Sequence, residues 1–327
     1  MSHQSPKLSL VVPCYNEQEN VQSVYDEAVA VLGERGIDFE MIFVNDGSTD
    51  STLSCLQAIV EHAQVRVRVV DFSRNFGKEA AMMAGLSASE GEYTVIMDGD
   101  MQQSPGVVLE MFDILETQPE VDCVAAVQKV RREGCVLSFF KRSFYKIINS
   151  AATVDFVSGA SDFRMMRRPV VEAVLSVSEY YRFSKGIFSF VGFNTHYLPY
   201  EARARAGGKT KWSFRKLFAY AMDGIIGFTT APLRFLTVSG TLLSLVSFIY
   251  LAVVVIKRIF FGDPVQGFAT TVGCILLLGG LQLLGMGIIG EYLGRTYIET
   301  KHRPVFIKRQ VLDSRPEEPE NDRQTTE

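Results

Sequence analysis

Residues 95–102, Val-Ile-Met-Asp-Gly-Asp-Met-Gln, join an apolar run directly to two carboxylates. We interpret the run as a buried strand that ends at a loop, where Asp98, Asp100 and Gln102 could face one point. Hard oxygen ligands suit Mg²⁺ or Mn²⁺, and such ions are usually held by one or two carboxylates together with substrate phosphates. The stretch predicts a site for a metal-bridged diphosphate, although a solvated turn would have the same local pattern.

Further apolar runs precede this one, at residues 8–12, 39–44 and 65–72, and stretches with helical spacing separate them. Alternating strands and helices predict an α/β fold with a doubly wound, mostly parallel sheet. Ligands of such sheets bind beyond the carboxyl ends of the strands, so the loops after these strands should share one crevice. Those loops carry Tyr15, Asn16, Glu17, Asp46, Arg74, Asn75, Asp98, Gly99 and Asp100.

Composition excludes some classes of protein. The chain has 327 residues, 47% hydrophobic and 21% charged, which is enough for one large domain and additional segments. Its net charge of −4 argues against a general nucleic-acid binder. The five cysteines are scattered without a CxxC pair, which suits a reduced compartment better than a disulfide framework or a zinc site.

Two C-terminal segments, residues 235–256 and 265–290, contain no charged side chain. A helix needs about 20 apolar residues to cross a bilayer, so both segments qualify. Buried core helices would have the same composition, but two such runs in succession favour a membrane hairpin. Basic residues are denser outside the hairpin than in its loop, and the positive-inside rule then predicts that both chain ends are cytoplasmic.

Residues 212–234 combine an apolar stripe at helical spacing with basic residues, which predicts helices that lie in the membrane interface. The resulting division is a cytoplasmic α/β domain at 1–211, interfacial helices at 212–234, a transmembrane helix at 235–256, a short extracytoplasmic loop at 257–264, a second transmembrane helix at 265–290, and a cytoplasmic tail at 291–327 that is disordered towards its end.

The motifs identify a family when they are taken in order. They are Val-Val-Pro-Cys-Tyr-Asn-Glu at 11–17, Val-Asn-Asp-Gly-Ser at 44–48, Phe-Ser-Arg-Asn-Phe-Gly-Lys-Glu at 72–79, Asp-Phe-Arg at 162–164, Arg-Ala-Gly-Gly-Lys-Thr-Lys-Trp at 205–212, Ala-Pro-Leu-Arg at 231–234 and Gly-Glu-Tyr-Leu-Gly-Arg at 290–295. Nearly the whole chain resembles the inverting family 2 glycosyltransferases of the A-type (GT-A) fold. It is most similar to their polyprenyl-phosphate branch, which includes bactoprenol glucosyltransferases and dolichyl-phosphate mannose synthases.

The resemblance implies a donor site in the strand-end loops. Its residues would be Pro13, Tyr15, Asn16, Glu17, Asp46, Arg74, Asn75, Lys78, Asp98 and Gly99. Asp46 would accept a hydrogen bond from the nucleotide base, although an ordinary turn followed by a helix cap would also explain Asp46-Gly47-Ser48. Asp98, Asp100 and Gln102 would bind the divalent metal, Mg²⁺ or Mn²⁺.

The catalytic residues that the resemblance implies are Asp162, Asp100, Arg205 and Lys211. Relatives that glycosylate alcohols would use Asp162 as a general base. A phosphate monoester has a second pKa of about 6 and hardly needs a base at pH 7, so we expect Asp162 to position the acceptor or a helper cation. Arg205 and Lys211 would stabilise the leaving diphosphate; a basic patch for anionic lipids is the alternative. Ser161 stands where the family usually has glycine.

The implied reaction moves a sugar from UDP-glucose or UDP-N-acetylglucosamine to undecaprenyl phosphate, with inversion, at the bacterial inner (plasma) membrane. The product would serve lipopolysaccharide or teichoic acid modification. By resemblance the enzyme would be a homo-oligomer, a tetramer, embedded in the lipid bilayer, with no nucleic-acid partner. A processive polysaccharide synthase would usually carry a Gln-x-x-Arg-Trp motif, whereas the one tryptophan here is in Lys-Thr-Lys-Trp. A non-catalytic membrane adaptor is the other rival, and the intact carboxylates argue against it.

Overall fold

The computed structural model describes residues 5–128, 160–201, 229–261 and 268–314. Strands in this part of the chain form one eight-stranded sheet in the order β7-β5-β6-β4-β1-β2-β3-β8. The strands are β1 (Leu8–Cys14), β2 (Phe39–Asn45), β3 (Arg66–Phe72), β4 (Tyr93–Ile96), β5 (Cys123–Gln128), β6 (Ala160–Arg167), β7 (Thr195–Tyr200) and β8 (Lys308–Asp313). The helices are α1 (Val21–Glu34), α2 (Thr52–Glu61), α3 (Lys78–Ala88), α4 (Pro105–Thr117), α5 (Arg168–Ser176), α6 (Ser184–Phe190), α7 (Ala231–Phe261) and α8 (Phe268–Glu299).

The centre of the sheet is parallel and the additions to it are mixed. β1 pairs with β2 and β4, and β2 pairs with β3, all in parallel. β6 is antiparallel to β4 and β5, and β8 is antiparallel to β3. The mostly parallel α/β sheet confirms the predicted fold class. The chain winds from β1 to β3 in one direction and places β4 on the opposite side of β1, so the crevice between β1 and β4 is the topological switch point.

The central strands are apolar on both faces because helices cover both sides of a parallel sheet. Every residue of β2 is buried. Phe43 packs in the core on the side of α1, α2 and α4, whereas Ile42 and Val44 pack on the side of α3 and α5. These short apolar runs were identified from the sequence because each of them ends at a turn-forming polar loop.

Two long C-terminal helices, α7 and α8, expose their apolar side chains. Phe235 is 69% exposed and Leu283 is 71% exposed, which is not the behaviour of core helices. The segments Ala231–Tyr250 and Leu277–Glu299 are long and apolar enough to cross a membrane. The Tyr292 hydroxyl donates to the Thr229 carbonyl oxygen at 2.8 Å, so the start of α7 lies beside the end of α8. The two helices therefore form a hairpin.

Helix α7 is longer than the charge-free stretch at both ends. Residues 231–234, which the sequence analysis assigned to the interface, form its first turn, and Lys257 and Arg258 lie near its end rather than in a loop. The helix therefore does not end where the charge-free run ends.

The segment after α8 returns to the α/β domain, a feature that the sequence patterns do not predict. The Tyr180 backbone N–H donates to the Glu299 carboxylate at 3.1 Å. The Phe306 ring stacks on Phe72 with centroids 5.0 Å apart, and β8 then pairs with β3 along the edge of the sheet. The α/β domain therefore lies next to the end of α8, on one side of the hairpin.

Several expectations fall outside the described residues. They concern the interfacial helices over 212–228, the loop residues 262–264 and the tail beyond residue 314.

Gly85 allows α3 to lie directly on β1. A Cβ at this position would be 2.2 Å from Val11 Cγ1, a buried and rotationally stiff side chain. We expect Gly85→Ala to lower the free energy of unfolding by about 1–3 kcal/mol because the core would be overpacked. Gly33→Ala in α1 is the matched control: nothing lies within 4 Å of the added Cβ, so a gain of about 0.5–1 kcal/mol is expected. Denaturant unfolding of the purified chain measures both, and equal effects would contradict the packing described for α3.

Candidate functional site

The loops after β1 and β4 meet at the switch point. The Met97 N–H donates to the Val11 carbonyl oxygen at 2.9 Å and continues the pairing beyond β4. A Cβ on Gly99 would lie 3.4 Å from the Pro13 carbonyl oxygen and 3.7 Å from Glu17 Cγ. The loop that carries Asp98 and Asp100 therefore lies against Pro13 and Glu17, as the sheet topology predicted.

The loop after β1 is fastened to the loop after β2. Asn16 adopts a positive φ of 55°, a conformation that asparagine tolerates better than most residues. Its N–H donates to Ser48 Oγ at 3.0 Å, and its Oδ1 accepts from the Thr49 N–H at 2.9 Å. The Glu17 N–H donates to Thr52 Oγ1 at 2.9 Å. Asn16 therefore anchors the loop, while Tyr15 in the same loop remains 40% exposed.

The buried Asp46 carboxylate holds the start of α3. It accepts hydrogen bonds from the N–H groups of Phe76 at 2.6 Å and Gly77 at 2.9 Å. Burial raises the pKa of Asp46 above its ordinary value, although these N–H groups and the Arg74 charge act in the opposite direction. Gly47, at φ +62°, lies so close to the backbone of Arg74 that a Cβ on this glycine would be 2.3 Å from the Arg74 carbonyl carbon. Recognition of a base by Asp46 stays a prediction beside this capping role.

Lys78, the first residue of α3, links two strands through their carboxylates. Its Nζ lies 2.7 Å from Asp98 Oδ1, after β4, and 3.1 Å from Asp162 Oδ2, in β6. The antiparallel register of β4 and β6 pairs Ile96 with Arg164 and so brings these two aspartates to the same end of the strands. Two like charges this close disfavour each other unless a cation lies between them. Lys78 supplies that cation.

Asp98 is oriented by Gln103, which is not among the site residues predicted from the sequence. Gln103 is buried; its Nε2 donates to Asp98 Oδ2 at 2.9 Å, and its Oε1 accepts from the Asp98 N–H at 2.8 Å. Gln102, the predicted ligand, donates its backbone N–H to Asp100 Oδ1 at 3.2 Å. Sequence alone does not distinguish adjacent glutamines at a loop. One sequence signal points to Gln103. The helix that begins at Pro105 fixes the length of the loop after β4, and so fixes the position of Gln103 within that loop.

Asp162 is an ionised carboxylate in a buried setting. Burial by itself raises its pKa, but the charges of Lys78, Lys185 and Arg164 outweigh burial, and the pKa of Asp162 lies below its ordinary value. Its Oδ1 is buried and has no hydrogen-bond partner among the described residues. Tyr200 lies near these carboxylates, and its burial, followed by the charges of Asp98 and Asp100, raises the pKa of its hydroxyl. Asp162 is therefore negatively charged at neutral pH, and its pKa lies well below 7.

The donor set at this point fits a hard divalent cation. Asp98 and Asp100 supply carboxylate oxygens. One oxygen of Asp98 already contacts the positive charge of the Lys78 ammonium. In the described part of the chain, no group of three or more His, Cys, Asp or Glu side chains could hold a metal ion. Two carboxylates with a substrate diphosphate are the usual arrangement for Mg²⁺, so the residues fit an ion that arrives with its substrate.

A second buried cluster lies behind Lys78 and was not identified from the sequence. Ser184, at the start of α6, donates to the Glu79 carboxylate through its hydroxyl and through its N–H at 3.1 Å. Burial raises the pKa of Glu79 to about 7; the Asp162 charge raises it further, while Ser184 and Arg182 oppose the shift. Glu79 and Ser184 join α3 to the segment that also contacts the end of α8.

Of the other predicted site residues, Arg74 lies in the described part of the chain, whereas two basic residues do not. Arg74 is exposed at the crevice edge, with its guanidinium 4.0 Å from the centroid of the Phe76 ring, and its Nη1 donates to the Asn75 carbonyl oxygen at 3.0 Å. Arg205 and Lys211 lie outside the described residues, so their roles stay predictions.

Comparison with known proteins gives a consistent result. Residues 9–175 match Glycosyl transferase family 2. The chain is similar to CsbB of Bacillus subtilis (strain 168), with 40% identity over 300 residues that cover 92% of this chain and 90% of that protein. It is 37% identical to the bactoprenol glucosyl transferase of Shigella phage SfV over 302 residues, 92% of this chain and 97% of that one.

Among solved structures, mannosyl-3-phosphoglycerate synthase from Rubrobacter xylanophilus aligns with a TM-score of 0.48 and 17% identity. The alignment covers 72% of this chain and 75% of that one.

The raised pKa of Glu79 predicts a pH dependence of stability. The folded protein holds this proton up to about pH 7, whereas the unfolded chain releases it near 4.5. The stabilisation is therefore complete below pH 4.5 and is lost as the pH rises through 7, by on the order of 3 kcal/mol. Glu79→Gln stays neutral, so the wild-type chain should lose stability relative to this variant over that range. Parallel denaturant curves from pH 5 to 8 test this; a constant difference would contradict the raised pKa.

Proposed function

This chain belongs to glycosyl transferase family 2, and from that premise we propose that it transfers a sugar from a nucleotide-sugar to a polyprenyl phosphate. UDP-glucose or UDP-N-acetylglucosamine is the proposed donor, and undecaprenyl phosphate is the proposed acceptor. The observation that carries the proposal is the Lys78 ammonium between Asp98 and Asp162, because it joins the proposed donor side of the crevice to the proposed acceptor side within one side chain.

The nucleotide half of the donor is assigned to the loops after β1, β2 and β3. Tyr15 is exposed there with a ring on which a base can stack, and the residues around it are fixed by the hydrogen bonds to Ser48 and Thr52. Arg74 lies on the other side of the crevice, at the end of β3, and suits contact with phosphate. These side chains are supported by rigid strand ends, which favours precise positioning of the donor.

A divalent metal, Mg²⁺ or Mn²⁺, is assigned to Asp98, Asp100 and Gln102. When bound, such an ion would neutralise the charge that develops on the leaving diphosphate. Gln103 holds the Asp98 carboxylate in one orientation from behind, and the Gln102 N–H holds Asp100. The chain thereby fixes both carboxylates before the donor enters, which reduces the reorganisation that binding requires.

The acceptor side is assigned to Asp162 and to the basic residues Arg205 and Lys211. Because the pKa of Asp162 is lowered, it stays ionised at neutral pH, and a dianionic phosphate acceptor does not need it as a base. Asp162 then orients Lys78 and the acceptor, and Arg205 and Lys211 neutralise the phosphates. Attack of the acceptor oxygen on the anomeric carbon from the side opposite the diphosphate would invert the configuration there.

Membrane attachment is assigned to the α7–α8 hairpin, whose exposed apolar surface matches a bilayer. The return of β8 to the sheet keeps the α/β domain beside the end of α8, where a lipid-linked acceptor would be presented. The similar protein of Shigella phage SfV is named a bactoprenol glucosyl transferase, which supports a lipid carrier. We propose a multi-pass protein of the bacterial inner membrane, with its catalytic domain in the cytoplasm, that forms a homo-oligomer and supplies lipid-linked sugar for lipopolysaccharide or teichoic acid modification.

Sugar transfer is the direct test. The purified full chain is incubated with undecaprenyl phosphate and each of a panel of radiolabelled UDP- and GDP-sugars, with Mg²⁺, Mn²⁺ or EDTA. One UDP-sugar should give a lipid-extractable product in the presence of metal and none with EDTA. Asp100→Asn should lower the rate by about 100-fold or more, in the range of losing one electrostatic group at a reaction centre. Transfer to a hydroxyl-bearing polymer instead would support a polysaccharide synthase.

Replacement of Asp162 separates a positioning role from proton transfer. For Asp162→Asn we expect kcat to fall because Lys78 loses one of its two partners, but the pH profile of kcat should keep its shape because no base is removed. The measurement is kcat at saturating acceptor from pH 6 to 9. An unchanged kcat would exclude any catalytic role, and loss of the alkaline plateau alone would assign Asp162 as a base.

A further inference from the structure

Lys78 already occupies the place where a cation is required. Its Nζ contacts Asp98 Oδ1 at 2.7 Å, and the other oxygen of the same carboxylate accepts from Gln103 Nε2 at 2.9 Å. Both oxygens of Asp98 are thus engaged by groups of the chain itself. A metal ion that binds Asp98 must compete with a unit positive charge held in contact with that carboxylate.

The backbone of Lys78 is fixed while its ammonium can move. Asp46 binds the N–H groups of the two preceding residues, and Glu79, the next residue, is held by Ser184. The Lys78 side chain is 44% exposed and carries its charge on a flexible four-carbon stem. The ammonium can therefore leave Asp98 without unfolding α3, provided that another anion receives it.

We propose that Lys78 is an internal counter-cation that keeps the divalent metal weakly bound until the donor diphosphate arrives. This inference rests on the proposed function. In the nucleotide-free protein Lys78 neutralises Asp98 and Asp162 and competes with the metal. A diphosphate would bring negative charge that attracts the ammonium away from Asp98, and the Asp98 carboxylate could then hold the metal together with the phosphates. Metal and nucleotide thereby bind cooperatively, and each raises the affinity for the other by the same factor.

The test is Mn²⁺ binding to the detergent-solubilised full chain, followed by electron paramagnetic resonance of free Mn²⁺, with and without UDP. For the wild type we expect UDP to tighten Mn²⁺ binding by at least about tenfold. Lys78→Met should tighten Mn²⁺ binding without UDP by about tenfold or more, because the competing charge is gone, and so should reduce the effect of UDP.

Lys185→Met is the matched control. Lys185 acts on Asp162 through its charge, but among the described residues it forms no ion pair within 4.0 Å, so its removal should change Mn²⁺ binding by less than about threefold. Lys78→Gln is polar and uncharged and replaces Lys78→Met if that variant does not fold; it should show the same tightening.

Two results would overturn the proposal. If Lys78→Met and Lys78→Gln bind Mn²⁺ without UDP no more tightly than the wild type, Lys78 does not compete with the metal. If all variants still show UDP-dependent Mn²⁺ binding in that case, the proposed function stays intact. If the wild type binds no Mn²⁺ with or without UDP while still transferring sugar, the metal assignment itself fails, and the role of Lys78 fails with it.

Discussion

Two buried or half-buried aspartates on neighbouring strands require a positive charge between them. Asp98 and Asp162 come together because β4 and β6 are antiparallel neighbours, and without Lys78 their repulsion and desolvation would favour protonation of one of them. The position of Lys78 in turn depends on where α3 begins. That point is set by Asp46, which binds the backbone N–H groups just before it. Lys78 therefore connects the ends of β4 and β6, and Asp46 attaches the start of its helix to the end of β2.

The same arrangement connects the crevice to the hairpin. Glu79 follows Lys78 and is held by Ser184, and the segment before Ser184 contacts Glu299 at the end of α8. β8 then extends the sheet beyond β3. The α/β domain is consequently attached to the hairpin at two places, next to the loop that carries Arg74 and next to the helix that carries Lys78. This attachment would hold the crevice at a fixed distance from a lipid-linked substrate.

Much of this could be predicted from the sequence where short-range patterns decide the structure. Strands β1 to β4 were identified because each apolar run ends at a polar loop, and the crevice residues followed because parallel strands end on one edge. What could not be predicted depends on long-range pairing. The hydrogen bonds between Gln103 and Asp98, the Glu79–Ser184 contact and strand β8 depend either on partners that lie far apart in the chain or on one particular position in a loop. The local pattern of apolar and polar residues carries no information about long-range partners or about single positions within a loop.

We expect the nucleotide-sugar to occupy the crevice at the carboxyl ends of β1 to β4. Photolabelling of the full chain with 5-azido-UDP-glucose, followed by peptide mapping, tests it most directly. Label that UDP displaces should be found in the loop around Tyr15 or in the loop around Arg74. UDP-sensitive labelling confined to peptides outside the loops that follow these four strands would contradict the account.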